Sequence, residues 1–352
     1  PQTPNPKPQT PNPKPQFYYL MTYVLFKWLQ VKFVNSMAKV YYEDVVKFNT
    51  TELGCDILRV GVCFDWKVEA DGRRSLPHFT FWTFEQAFLR AGVRMHILYY
   101  TDTVDSIAVP LDGFLIPGGR DLDPKFYGQE NQGSNVSASD SALRWNFCKH
   151  WVENLPKEVP ILGICFGCQV LNCLFGGTLV QELSCSAHHV GRKRKIEVDP
   201  KSWLAKALHP DLFLVSNCNH HQGLDKIPEC FDVIAKDTKD NIPHALQYNV
   251  PGREIMAVIW HPEYSYKDTR YDDIDLHNRK VMEYFFDRAW EYKSVREKSH
   301  PIETKVPGFK KDHAPPIQIS KREPTITEVL DATGEECMIS HHVAQPVQEQ
   351  KK

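Results

Sequence analysis

The chain is 352 residues long, with 42% hydrophobic residues, 24% charged residues and a formal net charge of −2. These shares are ordinary for a folded globular protein that can bury a sizeable core. The nearly balanced charge projects no strong field, so we expect no nucleic-acid partner and no membrane partner. Ten cysteines are too few for a disulfide scaffold in a chain of this length. Most of them lie in apolar runs, which favours a reducing, cytoplasmic compartment.

The two ends of the chain differ in composition from its middle. Residues 1–16 repeat a Pro-rich unit that cannot form a core, and residues 17–34 form an apolar stretch interrupted by two lysines and a glutamine. This stretch favours an amphipathic extension, or sequence upstream of a start at Met37, with export or membrane anchoring as the alternative. We predict a disordered extension over 1–36, one folded domain over 37–293 and a disordered tail over 294–352.

Through the middle of the chain, short apolar runs rich in β-branched residues alternate with helical patterns, which is typical of a parallel sheet covered on both faces. The predicted strands are 57–64, 93–100, 111–117, 159–164 and 255–260. The predicted helices are 79–92, 141–155, the stretch after Cys165, and 275–290. Between 178 and 250, four short apolar runs follow one another closely, which favours an inserted or appended antiparallel layer.

Cys165 lies in the sequence Gly-Ile-Cys-Phe-Gly, where a predicted strand passes into a helical pattern. A cysteine at a helix N-terminus gains thiolate stability from the helix dipole and nearby amides. Gly163 and Gly167 would let the chain and a substrate approach closely at a tight turn, as in a nucleophile elbow with cysteine in place of serine. On this motif alone, a buried structural cysteine is an equally good interpretation.

A nucleophilic cysteine needs a base, and the base needs an orienting partner. His261 and Glu263 lie two residues apart at the end of an apolar run, so their side chains can point the same way. Taken alone, His-Pro-Glu is more often a turn. Together with the Cys165 motif, it indicates a base held by a carboxylate.

A third element is Pro117-Gly118-Gly119, which closes the predicted strand 111–117. Glycines free the backbone to aim N–H groups at a developing oxyanion, and the amide of Phe166 would be a second donor. As a lone feature this triplet is weak, because most such triplets are turns.

Four ordered blocks across residues 57–290 carry a resemblance to a known family. They read IPGGRDLDPKFYG, LGICFGCQVLNCLFGGTLVQEL, NHHQGL and VIWHPEY. In this order they resemble the class I glutamine amidotransferases, and in detail the γ-glutamyl-γ-aminobutyrate hydrolase-like branch. The resemblance implies a flavodoxin-like α/β/α sandwich with a mostly parallel central sheet. It also implies a cysteine hydrolase that cleaves γ-glutamyl amides of small molecules through a thioester, and we expect no cofactor.

The resemblance also implies roles for individual residues. Cys165 would be the nucleophile, His261 the base and later the acid, and Glu263 the residue that orients it. Gly118 or Gly119 would form the oxyanion hole with Phe166, and Gln169, Asn219 and His221 would contact the substrate. Phe166 stands where this branch often has a basic residue, so the leaving-group side of the pocket departs from the family pattern.

Other interpretations remain open at this stage. Cys165 and Cys168 form a C-x-x-C pair that redox enzymes also place after a strand. Zinc is suggested by His188-His189 and His220-His221, but adjacent histidines on a strand point to opposite faces, so we expect no metal site. The chain could also donate ammonia to a synthase partner in trans, form a homodimer, or act as a non-catalytic regulatory module.

Overall fold

The structure is a computed structural model, and it describes residues 39–46, 57–107, 109–136, 140–266 and 273–299. The predicted extension over 1–36 lies outside the described residues, as does the predicted tail from residue 300 onward.

The described residues form short strands and six α-helices. The strands are β1 Lys39–Tyr41, β2 Arg59–Val62, β3 Lys67–Val68, β4 Arg74–Pro77, β5 Arg94–Ile97, β6 Gly113–Ile116, β7 Ile161–Ile164, β8 Leu179–Val180, β9 Arg192–Val198, β10 Phe213–Cys218, β11 Gly223–Leu224, β12 Phe231–Asp237, β13 Pro243–Tyr248 and β14 Ile255–Val258. The helices are α1 Tyr42–Val45, α2 His78–Ala91, α3 Ser141–Asn154, α4 Phe166–Leu174, α5 Trp203–Leu208 and α6 Asp273–Ser299. Turns of 3-10 helix lie at Val104–Ser106, Pro124–Tyr127, Ser186–His188 and Pro262–Tyr266.

One large sheet organises the fold. Its strand order is β10-β9-β12-β13-β14-β7-β6-β2-β5. The strands from β14 to β5 are parallel to their neighbours, and those from β10 to β14 pair antiparallel. The predicted flavodoxin-like α/β fold is therefore confirmed, and the predicted antiparallel segment is appended to one side of the parallel sheet.

The sheet buries apolar side chains on both faces because successive residues of a strand point to opposite sides. On one face, Leu162 and Ile164 of β7 pack in a core with α2 and α6. On the other face, Ile161 of the same strand packs with α3 and α4, where the rings of Phe114 and Trp151 stack at 5.3 Å. This two-sided burial explains the near-continuous apolar runs of the parallel strands.

The predicted strands and helices of the parallel part all form. The last helix ends at Ser299, so it extends past the predicted limit of the folded domain at residue 293. The small sheets β1-β4-β3 and β8-β11 were not predicted, because strands of two to four residues give little periodicity. None of the helices in the described ranges combines the length and the apolar character needed to cross a bilayer.

The topology brings three strand ends together. Strands β14, β7 and β6 are neighbours and parallel, with Val258 beside Ile164 and Ile116 beside Gly163. Their carboxyl ends therefore meet at one edge of the sheet, where α/β proteins commonly place ligand sites. The chain that leaves these ends carries the Gly-Gly, Cys165 and His261 segments predicted to form the site.

Candidate active site

Cys165 occupies a strained turn between β7 and α4. Its φ of 51° and ψ of −106° lie outside the regions that residues with a side chain ordinarily adopt. Among the described non-glycine residues, only it and Asn241 have a positive φ. Such backbone angles cost about 1–3 kcal/mol and persist only where the surroundings enforce them. Here the N–H of Cys165 donates to the Val258 carbonyl at 2.9 Å, and its carbonyl accepts from the Gln169 N–H at 3.1 Å.

Two glycines make this turn possible. A Cβ on Gly163 would lie 2.6 Å from the carbonyl oxygen of Gly167. A Cβ on Gly167 would overlap the carbonyl oxygen of Ile116 at the end of β6. Both positions therefore require glycine because the backbone segments touch there, which agrees with the nucleophile elbow predicted for Gly-Ile-Cys-Phe-Gly.

His261 lies beside Cys165 and is held by Glu263. The ring Nδ1 and Glu263 Oε1 are 2.6 Å apart, and both side chains are almost fully buried. The other nitrogen, Nε2, is buried and forms no conventional hydrogen bond within the described residues. Since Glu263 takes Nδ1, Nε2 is the atom left to exchange a proton with the Cys165 sulfur.

The charges around His261 favour its protonated form. Burial lowers the pKa of His261, but the Glu263 carboxylate and the Cys165 thiolate together raise it well above its usual value. An imidazolium next to a thiolate is the arrangement that makes a cysteine nucleophilic near neutral pH.

The two predicted oxyanion glycines have different surroundings. A Cβ on Gly118 would lie 2.8 Å from His261 Cε1 and 3.4 Å from Cys165 Cβ, so this backbone touches both residues. A Cβ on Gly119 would instead lie 2.6 Å from a guanidinium nitrogen of Arg144 and 2.9 Å from Asp65 Cβ. Phe166 is the first residue of α4, so its N–H has no acceptor within the helix.

An ion-pair network that the sequence did not reveal supports the Gly119 side of the site. Arg120 binds both carboxylate oxygens of Asp65, at 2.6 and 2.9 Å, and contacts Asp140 at 2.6 Å. The buried Arg144 contacts Asp65 at 3.3 Å and donates to the Arg120 carbonyl at 2.9 Å. Burial raises the pKa of the Asp65 carboxyl, but Arg144 and Arg120 outweigh it and lower this pKa.

Arg144 also reaches the residue that follows the nucleophile. Its guanidinium carbon lies 3.8 Å from the centre of the Phe166 ring. A positive charge therefore lies next to Phe166. This is the position at which the γ-glutamyl-γ-aminobutyrate hydrolase-like branch often has a basic residue. The spacing of the two residues in sequence gave no signal for this contact.

The three predicted substrate contacts lie around the same edge. Gln169 is 4% exposed on the first turn of α4. Asn219 is exposed and follows β10. The His221 ring lies between two carboxylates, 2.8 Å from Glu182 and 3.0 Å from Asp121. Burial lowers the pKa of His221, but these two carboxylates raise it overall.

Tyr264 is a site residue that sequence reasoning missed. Its ring stacks on His261 with 4.4 Å between centroids and an interplanar angle of 11°. It follows Glu263 in the 3-10 turn Pro262–Tyr266, and Asn219 hydrogen-bonds its hydroxyl. The turn directs His261 and Glu263 toward each other and packs Tyr264 over the imidazole face.

Cys168 and the histidine pairs have surroundings that bear on the alternative interpretations. Cys168 belongs to α4 and is fully buried, and both Cys168 and Cys165 are free thiols. His189 and His220, one from each histidine pair, meet each other and two further residues in a buried cluster. Because the cluster contains only one histidine of each pair, the opposite orientations of adjacent histidines do not exclude a shared ligand there.

Comparison with known proteins shows the family of the chain. The Peptidase C26 family model matches residues 76–263, which is more than half of the chain. The chain therefore belongs to the Peptidase C26 family. The matched residues contain the Gly118, Cys165 and His261 segments.

Several relatives carry the provisional name of a glutamine amidotransferase. A protein of Mycobacterium tuberculosis, provisionally named a glutamine amidotransferase, is 34% identical over 176 residues, and the match covers 48% of this chain and 56% of that protein. A similarly named protein of Schizosaccharomyces pombe is 29% identical over 227 residues, covering 59% of this chain and 82% of that one. One subunit of the glutamine-hydrolysing GMP synthase from Methanopyrus kandleri is 26% identical over 164 residues, covering 47% and 81%. The chain is thus glutamine amidotransferase-like.

A solved structure shares the fold. A Thermoplasma acidophilum protein, provisionally described as one subunit of GMP synthase, superposes with a TM-score of 0.50 at 16% identity. The match covers 69% of this chain and all of that one. At this identity the likeness speaks for the architecture alone, and it agrees with the flavodoxin-like fold.

Proposed function

We propose that this chain hydrolyses γ-glutamyl amide bonds of small molecules, with Cys165, His261 and Glu263 as the catalytic triad. The observation that carries the proposal is the assembly of a strained, buried Cys165 with the His261–Glu263 pair against the backbone of Gly118. Hydrolases of this type place a nucleophile, its base and an orienting carboxylate in such a row.

In the proposed reaction, the Cys165 thiolate attacks the carbonyl carbon of the amide. The N–H groups of Gly118 and Phe166 stabilise the oxyanion that forms. The His261 imidazolium gives its proton to the leaving amine as the C–N bond breaks, which leaves a γ-glutamyl thioester on Cys165. Neutral His261 then takes a proton from water, the resulting hydroxide attacks the thioester, and glutamate leaves as the thiolate re-forms.

Two observations support specificity for γ-glutamyl compounds. They are the resemblance of the four sequence blocks to the γ-glutamyl-γ-aminobutyrate hydrolase-like branch and the position of Gln169. Residues four apart lie on the same side of a helix, so Gln169 is next to the nucleophile. Its side chain is only 4% exposed, and a hydrogen bond from its amide to a polar substrate atom would help to hold the substrate there. Asn219 and His221 approach the same edge from the segment after β10.

Release of glutamate from a panel of γ-glutamyl compounds tests this proposal. The panel contains glutamine, γ-glutamyl-aminobutyrate, other γ-glutamyl amines and short poly-γ-glutamates. We expect Cys165→Ser to reduce kcat at least about 10³-fold. The matched control is Cys168→Ser, which changes a buried cysteine three residues away and leaves the triad intact. Equal activity of Cys165→Ser and the wild type would refute the proposal, and a folded wild type without activity on the panel would favour a regulatory module.

A second candidate is the glutaminase half of an ammonia-transferring enzyme. It is favoured by the relative from Methanopyrus kandleri, which is named as a subunit of a glutamine-hydrolysing synthase. In that case glutamine would be the best substrate in the panel, and a synthase partner would stimulate its hydrolysis. Preference for other γ-glutamyl amines, without a partner, supports the hydrolase instead.

A further inference from the structure

Three histidines and one cysteine form a second cluster of reactive side chains close to the candidate active site. His189 follows the 3-10 turn Ser186–His188, Cys218 ends β10, His220 lies in the next loop, and His244 belongs to β13. One ligand atom from each lies within 4.8 Å of the others, and all four side chains are at most 4% exposed. The Cys218 sulfur is 3.6 Å from His244 Nε2.

In each histidine, one ring nitrogen (the outer nitrogen) forms a hydrogen bond to a group outside the cluster. This bond determines whether the other ring nitrogen, which faces the cluster, carries a hydrogen or a lone pair. Nδ1 of His220 donates to the Gln222 carbonyl at 2.9 Å, and Nδ1 of His244 donates to the Ile242 carbonyl at 3.0 Å. Since an Nδ1 bound to a carbonyl must carry the hydrogen, Nε2 of a neutral ring presents a lone pair. Both Nε2 atoms then face the centre of the cluster as acceptors.

In His189 the two ring nitrogens exchange these roles, and this histidine also presents a lone pair to the cluster. Its Nε2 is 3.2 Å from the Asp240 carboxylate, so this nitrogen carries the hydrogen and Nδ1 presents the lone pair. Nδ1 of His189 and Nε2 of His220 are both buried and have no hydrogen-bond partner within the described residues. Leaving a buried acceptor without a partner destabilises a fold, so a group that binds both nitrogens would stabilise this one.

The hydrogen-bond geometry gives each of the three rings one nitrogen that carries the hydrogen and one that presents a lone pair. This is the neutral form that a metal ion requires of a histidine ligand.

We propose that His189, Cys218, His220 and His244 together bind one Zn²⁺ ion in a closed structural site. In a tetrahedral zinc site with ordinary bond lengths, two nitrogen ligands lie ~3.4 Å apart and a nitrogen and a sulfur ~3.6 Å apart. The sulfur-to-nitrogen distance between Cys218 and His244 already has this value, and all four ligand atoms lie within 4.8 Å of one another.

The chemistry of the four ligands and of their neighbours suits zinc. Cys218 loses its thiol proton to solvent when the metal binds, because the thiolate is the ligand. Zn²⁺, one thiolate and three neutral imidazoles carry a net charge of +1, which the Asp240 carboxylate on His189 offsets. Carboxylate or carbonyl partners on the outer nitrogen are the usual support of zinc-binding histidines. With four protein ligands and full burial, no position remains for a reacting water, so the site is structural.

Zinc here would stabilise the loop that carries two predicted substrate contacts. Asn219 lies between Cys218 and His220, and His221 follows directly. The Asn217 carbonyl accepts from the His261 N–H at 2.9 Å, and the His244 carbonyl accepts from the Ile259 N–H at 2.9 Å. The metal would therefore connect the segment after β10 to the chain that leads from β14 to the catalytic histidine.

Metal analysis of the untagged full chain, purified without chelators, tests the proposal. We expect roughly one zinc per chain in the wild type. Cys218→Ser and His244→Gln should lose nearly all of it. Cys173→Ser is the matched control, because it changes a buried cysteine outside the cluster and should retain the metal. Asp240→Asn should bind zinc about 10- to 100-fold more weakly, because it loses the carboxylate on His189.

A second measurement uses only the wild type, so it does not depend on whether a variant folds. The wild type is stripped with a chelator and titrated with Co²⁺, which should give the visible bands of a tetrahedral cobalt ion and a near-ultraviolet thiolate-to-cobalt band. Zinc should then displace cobalt and raise the melting temperature, whereas Mg²⁺ should not. Wild-type protein without zinc that also gives no cobalt bands would overturn the proposal, as would copper as the metal that copurifies. Because metal binding is measured without substrate, this result is independent of the proposed hydrolase activity.

Discussion

Replacing Gly118 with alanine tests whether this backbone lies against the catalytic pair. The new methyl group would stand 2.8 Å from His261 Cε1, whereas ordinary contacts begin at 3.4 Å, so the imidazole must move by about 0.6 Å. A displacement of ~1 Å at a reacting group costs about 10²-fold in rate. We therefore expect Gly118→Ala to lower kcat/KM about 10- to 100-fold. Gly118 does not have a positive φ, so alanine meets no backbone strain there.

The assay is release of a chromogenic amine from a γ-glutamyl anilide, together with the melting temperature of each variant. The matched control is Gly113→Ala in β6, where a Cβ would lie 3.1 Å from Phe285 and 3.2 Å from Ala289 in the core, away from the triad. Overpacking of this kind costs about 1–3 kcal/mol of stability. The control should melt earlier but retain kcat/KM in its folded state. Full activity in Gly118→Ala would refute the placement of Gly118 against His261.

Three further predictions concern the pKa of His261, the ring of Tyr264 and the role of His221. The raised pKa of His261 keeps the imidazolium through neutral pH, so kcat/KM should fall on the alkaline side only as pH rises through that value, and Glu263→Gln should move this fall to lower pH. Tyr264→Leu, which removes the stacked ring, should lower kcat about 10-fold with little change in KM, whereas Tyr264→Phe retains the stack and most of the rate. His221→Gln should raise KM more than it lowers kcat, because His221 joins Asp121 and Glu182 at the predicted substrate edge.

Each of these predictions has a result that would contradict it. An alkaline limb at the same pH in the wild type and Glu263→Gln would show that Glu263 does not set the pKa of His261. Equal rates for Tyr264→Leu and Tyr264→Phe would show that stacking does not position the imidazole. A change in kcat alone for His221→Gln would remove His221 from the substrate contacts.

The parallel part of the fold could be predicted because its strands are buried on both faces. Runs such as Ile161–Ile164 and Ile255–Val258 are apolar at every position, and the helices between them repeat apolar residues every three or four positions. The three site segments could be placed together for the same reason, since each follows a strand of one parallel sheet. The residues matched by the Peptidase C26 family model include all three segments.

Contacts that depend on the geometry of a turn, or that join distant segments, could not be predicted. Tyr264 reaches the face of His261 because of a 3-10 turn whose geometry a Pro-Glu-Tyr sequence does not reveal. Arg144 reaches Phe166 from α3, and the separation of the two residues in sequence does not indicate this contact. The four residues of the proposed zinc site come from a turn, a strand end, a loop and a strand, so no spacing rule for metal ligands detects them.

In the proposed reaction, Cys165 forms the covalent intermediate. Acid quenching during turnover of a γ-glutamyl amide, followed by mass spectrometry of the intact chain and of its peptides, tests this most directly. We expect a mass increase of one γ-glutamyl group on the peptide that contains Cys165, and none in Cys165→Ser. An acyl group on another residue, or steady turnover by the Cys165→Ser variant, would contradict it.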